Sequence, residues 1–160
     1  MSMKSVPWDL EERAEDAFVA YLKGNVGRAC LVRAAREVCV AKYPLITVSA
    51  ESSDNASTDA SFNGHRRFSV SVTIATEAVN FNAETSQLEY IETAREAHRA
   101  VKSDVIGSLA GATVHEDLND MQLQGINFSQ AHCTSQTRGV DDNKLVTVQL
   151  IDVIAQPREI

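Results

Sequence analysis

Cysteine is scarce, with only Cys30, Cys39 and Cys133 in 160 residues. An odd number without metal-ligand spacing excludes a disulfide scaffold or a zinc ribbon and fits a chain whose thiols stay reduced. Seven glycines and three prolines are too few for a collagen-like or low-complexity chain. No run approaches the 18 or more apolar residues that cross a bilayer, and Met1-Ser2-Met3-Lys4 does not open a signal-peptide core. The protein is therefore expected in a cytosol, away from membranes. Basic residues are also in deficit, 15 against 22 acidic, leaving a net charge of −7. A surface of that sign repels phosphate, which disfavours sequence-specific duplex binding.

What is present suits one globular domain: 44% hydrophobic and 23% charged residues, in a chain long enough to bury roughly 70% of its unfolded surface. Leu10, Ala14, Ala17, Phe18, Tyr21 and Leu22 recur at three- and four-residue steps and predict a helix over 8–23. Acidic residues in its first turn and Gly24-Asn25 after it mark the ends. Residues 28–40 fit both a helical stripe and a strand alternation, with periodicity leaning towards helix. Beyond Tyr43-Pro44, the β-branched run 45–50 predicts a strand. Residues 51–63 are almost all Ser, Asp, Asn, Thr and Ala, a loop composition expected to be flexible. Phe68, Val70, Val72 and Ile74 then alternate with polar residues, as in a strand with one buried face.

Ser86 with Glu89 three residues on resembles a capping box and opens a predicted long helix over 85–109. Leu88, Ile91, Ala94, Val101, Val105 and Leu109 form its core stripe, with His98 on the same side. Glu92–Arg95 and Glu96–Arg99 are expected ion pairs on its wet side. An acidic connector at 114–120 follows. Two strands, 125–137 and 144–154, are joined by a turn at 138–143, and a tail at 156–160 leaves the sheet. In the last strand Val146, Val148, Leu150 and Ile154 face one way and Leu145, Ile151 and Val153 the other, which predicts a central strand. The sum is a single α+β domain over 1–160: a mainly antiparallel sheet of four to five strands with two main helices on one face. Its other face needs cover, which a second subunit could supply.

Motifs for chemistry are weak. Gly107-Ser108-Leu109-Ala110-Gly111 has its serine one position early for a nucleophile elbow, and no phosphate-cradling glycine loop occurs. His115, Glu116 and Asp117 are adjacent, not spaced as metal ligands, and His132-Cys133 point to opposite sides of a strand. His98 is read as bonding its tip at the core edge, and the cysteines as small core residues. Arg66-Arg67-Phe68 could stack a nucleotide, but paired arginines at a strand start more often make ion pairs or an interface. No catalytic residue, metal or cofactor is assigned.

Val32-Arg33-Ala34-Ala35-Arg36-Glu37, Tyr43-Pro44-Leu45-Ile46-Thr47-Val48 and Arg67-Phe68-Ser69-Val70-Ser71-Val72-Thr73-Ile74, together with the order of elements, resemble the tail terminator and tail-completion proteins of long-tailed bacteriophages. The likeness covers about residues 8–155. It implies a structural virion protein without catalytic residues, forming a homo-oligomeric ring, typically a hexamer. The ring would sit on the head-proximal end of the tail tube, ending its growth and joining tail to head. Implied partners are further copies of the chain, the tube protein and a head-closure or connector protein, with DNA passing through unbound. The resemblance also favours a short strand near 29–35 over a helix. Arg66, Arg67, Phe68, Val70, Val72, Asp54 and Asn55 are the expected interface residues, and Glu116, Asp117, Asp120, Asp141 and Asp142 the expected acidic lumen. Residues 51–63 are expected to order against the tube or a neighbouring ring. The alternatives are a head-closure stopper or other neck connector, a small-ligand regulatory module with a pocket of His98, His132 and Arg67, and a hydrolase of unknown type.

Overall fold

The computed structural model describes residues 10–27, 30–37, 41–51, 66–121 and 125–157, so Asp54 and Asn55 lie outside the described residues. The first helix, α1 (Leu10–Asn25), buries the predicted stripe: Leu10, Ala14, Phe18 and Leu22 are each fully buried. Asn25 ends it by donating its side-chain amide to the Tyr21 carbonyl at 2.7 Å. The ambiguous segment then resolves as a strand, β1 (Leu31–Ala34), running parallel to β2 (Leu45–Glu51) after a cis Tyr43–Pro44 peptide. Four residues hold too little periodicity to separate helix from strand. Pairing with β2 and burial of Val32 and Ala34 under α1 decide it.

The next strand extends the sheet. β3 (Arg66–Glu77) pairs antiparallel with β2, so residues 45–51 and 66–77 form the expected hairpin. Phe68, Val70, Val72 and Ile74 are all buried beneath helices. Each such side chain removed from water stabilises the fold by roughly 1.5–3 kcal/mol.

The segment expected to begin the long helix does something else. Residues 79–90 form a small separate hairpin, β4 (Val79–Asn82) and β5 (Gln87–Tyr90). Asn82 starts its turn by accepting the Glu84 backbone N–H at 2.9 Å, and its side-chain amide donates to Glu89 at 2.9 Å. Ser86 sits in the left-handed region at φ 55°, so it caps nothing. Leu88 is 63% exposed instead of buried. The helix α2 (Ala94–Leu109) starts only after Thr93, with no side-chain cap. Its expected ion pairs, Glu92–Arg95 and Glu96–Arg99, do not form.

The acidic connector is likewise a short helix, α3 (Val114–Asp120), because Val114 and Leu118 fall four apart and both bury. The chain ends in a long hairpin of β6 (Ile126–Asp141) and β7 (Lys144–Pro157). The turn expected over 138–143 shrinks to Asp142 and Asn143, at φ 48° and 61°. Those are the left-handed values that a two-residue turn between twisted strands requires and that Asp and Asn tolerate. Gln156 and Pro157, expected to leave the sheet, remain paired with Asn127 and Ile126.

The main sheet has order β1-β2-β3-β7-β6, parallel only at β1–β2, which makes β7 interior as its sequence predicted. Helices cover one face. Phe18 of α1 meets Phe128 of β6 edge to face at 5.7 Å, and the Tyr21 hydroxyl donates to the Ser108 carbonyl of α2 at 2.8 Å. Asn119 of α3 clasps Phe128 through its carbonyl at 2.8 Å and its N–H at 2.6 Å. The domain is therefore α+β, with three helices and a second small sheet among the described residues. No helix among them is long and apolar enough to cross a membrane.

Candidate functional site

Strand register divides the polar residues into two sets on opposite faces of the sheet. Direct partners share a face, so Phe68–Val153, Val70–Ile151, Val72–Gln149 and Ile74–Thr147 lie under the helices. Phe68, Val70 and Val72, expected at an interface, are core residues at 1% exposure or less, because odd-even alternation turns them towards α1 and α2.

The open face carries the other parity: Ser69, Ser71 and Thr73 of β3 against Asp152, Leu150 and Val148 of β7. No described element covers it. Val146, Val148 and Ile154 are half-buried by their strand neighbours alone, and Leu150 is 36% exposed. At one end of this face Arg67 grips Asp152 with two bonds, Nε to Oδ1 at 3.1 Å and Nη2 to Oδ2 at 2.8 Å. Gln130 donates to the same carboxylate at 3.3 Å and His132 lies 3.9 Å away, so one aspartate links three strands. Arg66, one residue earlier and on the other face, pairs with Glu11 of α1 at 3.0 Å. Both arginines thus tie elements of this domain together, as paired arginines at a strand start commonly do.

His98 belongs to the helix-covered face. Its Nδ1 is 2.9 Å from the Thr76 hydroxyl and its Nε2 is 2.8 Å from the Thr147 hydroxyl, so the ring bridges α2 to β3 and β7. Burial, and then the neighbouring Lys102 charge, hold its pKa below the usual histidine value. The neutral ring donates through one nitrogen and accepts through the other. With both engaged, His98 holds the core edge as its sequence position suggested. His132 and Arg67 lie across the sheet from it, so a shared pocket of the three does not exist.

Beside His98 runs an open groove of about 200 Å³, lined by Arg95, Arg99 and Lys102 of α2 and by Arg138 of β6. A second hollow of about 350 Å³ shares Arg99 and Lys102 and extends the groove to Gly107 and Gln136. From residue 95 to 107 a helix advances about 18 Å, which sets the length of the trench. Among the described residues none of the four cations has an ion-pair partner. The sequence signal was present, since 95, 99 and 102 share one helical stripe, but reading Arg95 and Arg99 as halves of exposed ion pairs concealed it.

The expected lumen acids fall into two groups. Glu116, Asp117 and Asp120 are exposed on α3, against the start of β6, while Asp141 and Asp142 sit at the far tip of the β6–β7 hairpin. Thirteen strand residues separate Phe128 from Asp141, about 40 Å.

Of the other motifs, Ser108 lies inside α2 and donates its hydroxyl to the Asp104 carbonyl at 2.7 Å, so it is no elbow. Cys30 and Cys133 pack partly against the core as free thiols, and burial pushes the pKa of both up. Cys39 lies outside the described residues. Among those described, no three His, Cys, Asp or Glu side chains gather as metal ligands. No protein-family model matches the chain, and no curated protein matches it.

Proposed function

We propose that the protein is a structural subunit of a long-tailed bacteriophage, forming a homo-oligomeric ring at the head-proximal end of the tail tube and joining tail to head. The observation that carries the reading is the asymmetry of the sheet. Three helices close one face, while the other presents Val146, Val148, Leu150 and Ile154 along an interior strand with nothing described above them. A face of that kind is what subunits of a closed assembly bury. The element order that prompted the resemblance adds to it, including the strand at 31–34, which the resemblance favoured over local periodicity. The excess of acidic residues suits a ring through which DNA slides without adhering.

The test is electron microscopy of the purified protein, alone and with tail tubes, alongside mass by light scattering. A ring with a DNA-sized hole, at a multiple of 17.5 kDa, is the expected result. A monomer that never caps tubes, or micromolar salt-dependent affinity for duplex DNA at neutral pH, would refute the proposal.

A further inference from the structure

We infer that the trench between α2 and the β6–β7 hairpin is a docking surface for the acidic α3 helix of a second copy of this chain. The inference rests on the ring reading and names a second contact between subunits, on the helix-covered side, besides the open sheet face. It starts from charge. In a chain with seven more acidic than basic residues, Arg95, Arg99, Lys102 and Arg138 converge on one groove without a carboxylate partner among the described residues. Two glutamates stand three residues before Arg95 and Arg99, at the spacing that permits helical ion pairs, yet neither arginine pairs with them. Both line the groove instead, where an anionic occupant would lower their mutual repulsion beyond what water and salt screen.

The same chain supplies one of matching shape. Glu116 and Asp120 lie four apart on α3, as Arg95 and Arg99 do on α2, and four helical residues advance about 6 Å in both. Glu116, Asp117 and Asp120 are all exposed, and within the subunit none of them forms an ion pair with a trench cation. α3 is clasped to Phe128, whereas Arg138 lies further along β6, opposite a β7 partner eight residues from that of Phe128, a span of about 27 Å. Donor and acceptor surfaces that are separate patches of one subunit make a head-to-tail contact, which closes into a ring when the rotation allows. Of the five acids first expected to line a lumen, this assignment leaves Asp141 and Asp142 for that role. The net negative charge disfavours a nucleic-acid backbone as occupant.

Charge reversal on each side tests the contact. Arg95→Glu, Arg99→Glu and Arg138→Glu together make the groove acidic, with Lys102 its remaining cation, and Glu116→Lys with Asp120→Lys makes α3 basic; all five side chains are exposed. Circular dichroism establishes that each variant folds. Each reversed protein alone is expected to lose assembly by tenfold or more in concentration, measured by sedimentation velocity. An equal mixture is expected to recover it, because groove and helix then complement each other at both kinds of junction. A chain carrying all five changes should also assemble, and wild-type assembly should weaken as salt shortens the screening length.

If wild type assembles and the reversals leave it unchanged, or the mixture fails to recover, the contact is wrong while the ring reading stands. If wild type never assembles, alone or on tubes, both fall. If the groove variant loses only affinity for inorganic phosphate or duplex DNA, the trench is an anion site and the inference is overturned.

Discussion

Glu15 offers the sharpest test of how the sheet edge is held. It is 7% exposed on α1, and its Oε2 accepts the Ala50 backbone N–H at 2.8 Å while Oε1 meets Arg36. The reason for a buried acid here is topological. β1 ends at Ala34, and the last bond on that side of β2 runs from Ala35 N–H to the Val48 carbonyl at 2.8 Å. The next donor along β2, the Ala50 N–H, would have no strand partner, and the carboxylate takes that place. A hydrogen bond to a charged group contributes about 1.5–3 kcal/mol. The ion pair adds at most about 1, because the Arg36 side chain is 35% exposed. Glu15→Ala should therefore cost about 2–4 kcal/mol, which lowers Tm by roughly 5–12 °C in a domain of this size. Glu15→Gln keeps an acceptor for Ala50 and should cost only about 1 kcal/mol, as should Arg36→Met, which keeps the apolar stem. Urea denaturation followed by circular dichroism gives the ranking, and hydrogen exchange at the Ala50 amide gives the local effect. Equal losses for the Gln and Ala variants, or an Ala50 amide as protected in Glu15→Ala as in wild type, would refute the capping role.

Two further predictions concern the helix-covered face. Because burial holds the His98 pKa down in the folded chain, the unfolded chain binds the extra proton first on acidification. Stability should then be greatest above the unfolded value near 6.5, fall as pH drops below it, and level off below the folded value. Urea midpoints at pH 8 and pH 5 should differ less in His98→Gln than in wild type, and an equal difference in both would remove His98 as the source. In the Phe18–Phe128 pair, a double-mutant cycle with leucine at both positions should give a coupling of about 0.5–1.5 kcal/mol for the edge-to-face contact. Strict additivity would show that the rings contribute through burial alone.

Elements whose apolar residues repeat over many positions were legible from local pattern alone. The stripe of α1 and the alternation Phe68 to Ile74 each place four or more large side chains on one face, and no competing register buries them as well. The interior position of β7 was legible for the same reason, since both of its faces are apolar. Local pattern failed where it was short or shared by two structures. Four residues of β1 could not distinguish strand from helix; Ser86 with Glu89 fits a helix start and a hairpin alike; and α3 shows only two buried residues in a run of acids. Which polar groups meet depended on how the strands and helices pack. Register put His98 on one side of the sheet and Arg67 with His132 on the other, and it turned Phe68, Val70 and Val72 inward. The trench exists because α2 docks beside β7 while the exposed half of β6 runs past it. That juxtaposition joins residues about forty positions apart, and the charges there are governed by distance in space, which no local repeat encodes.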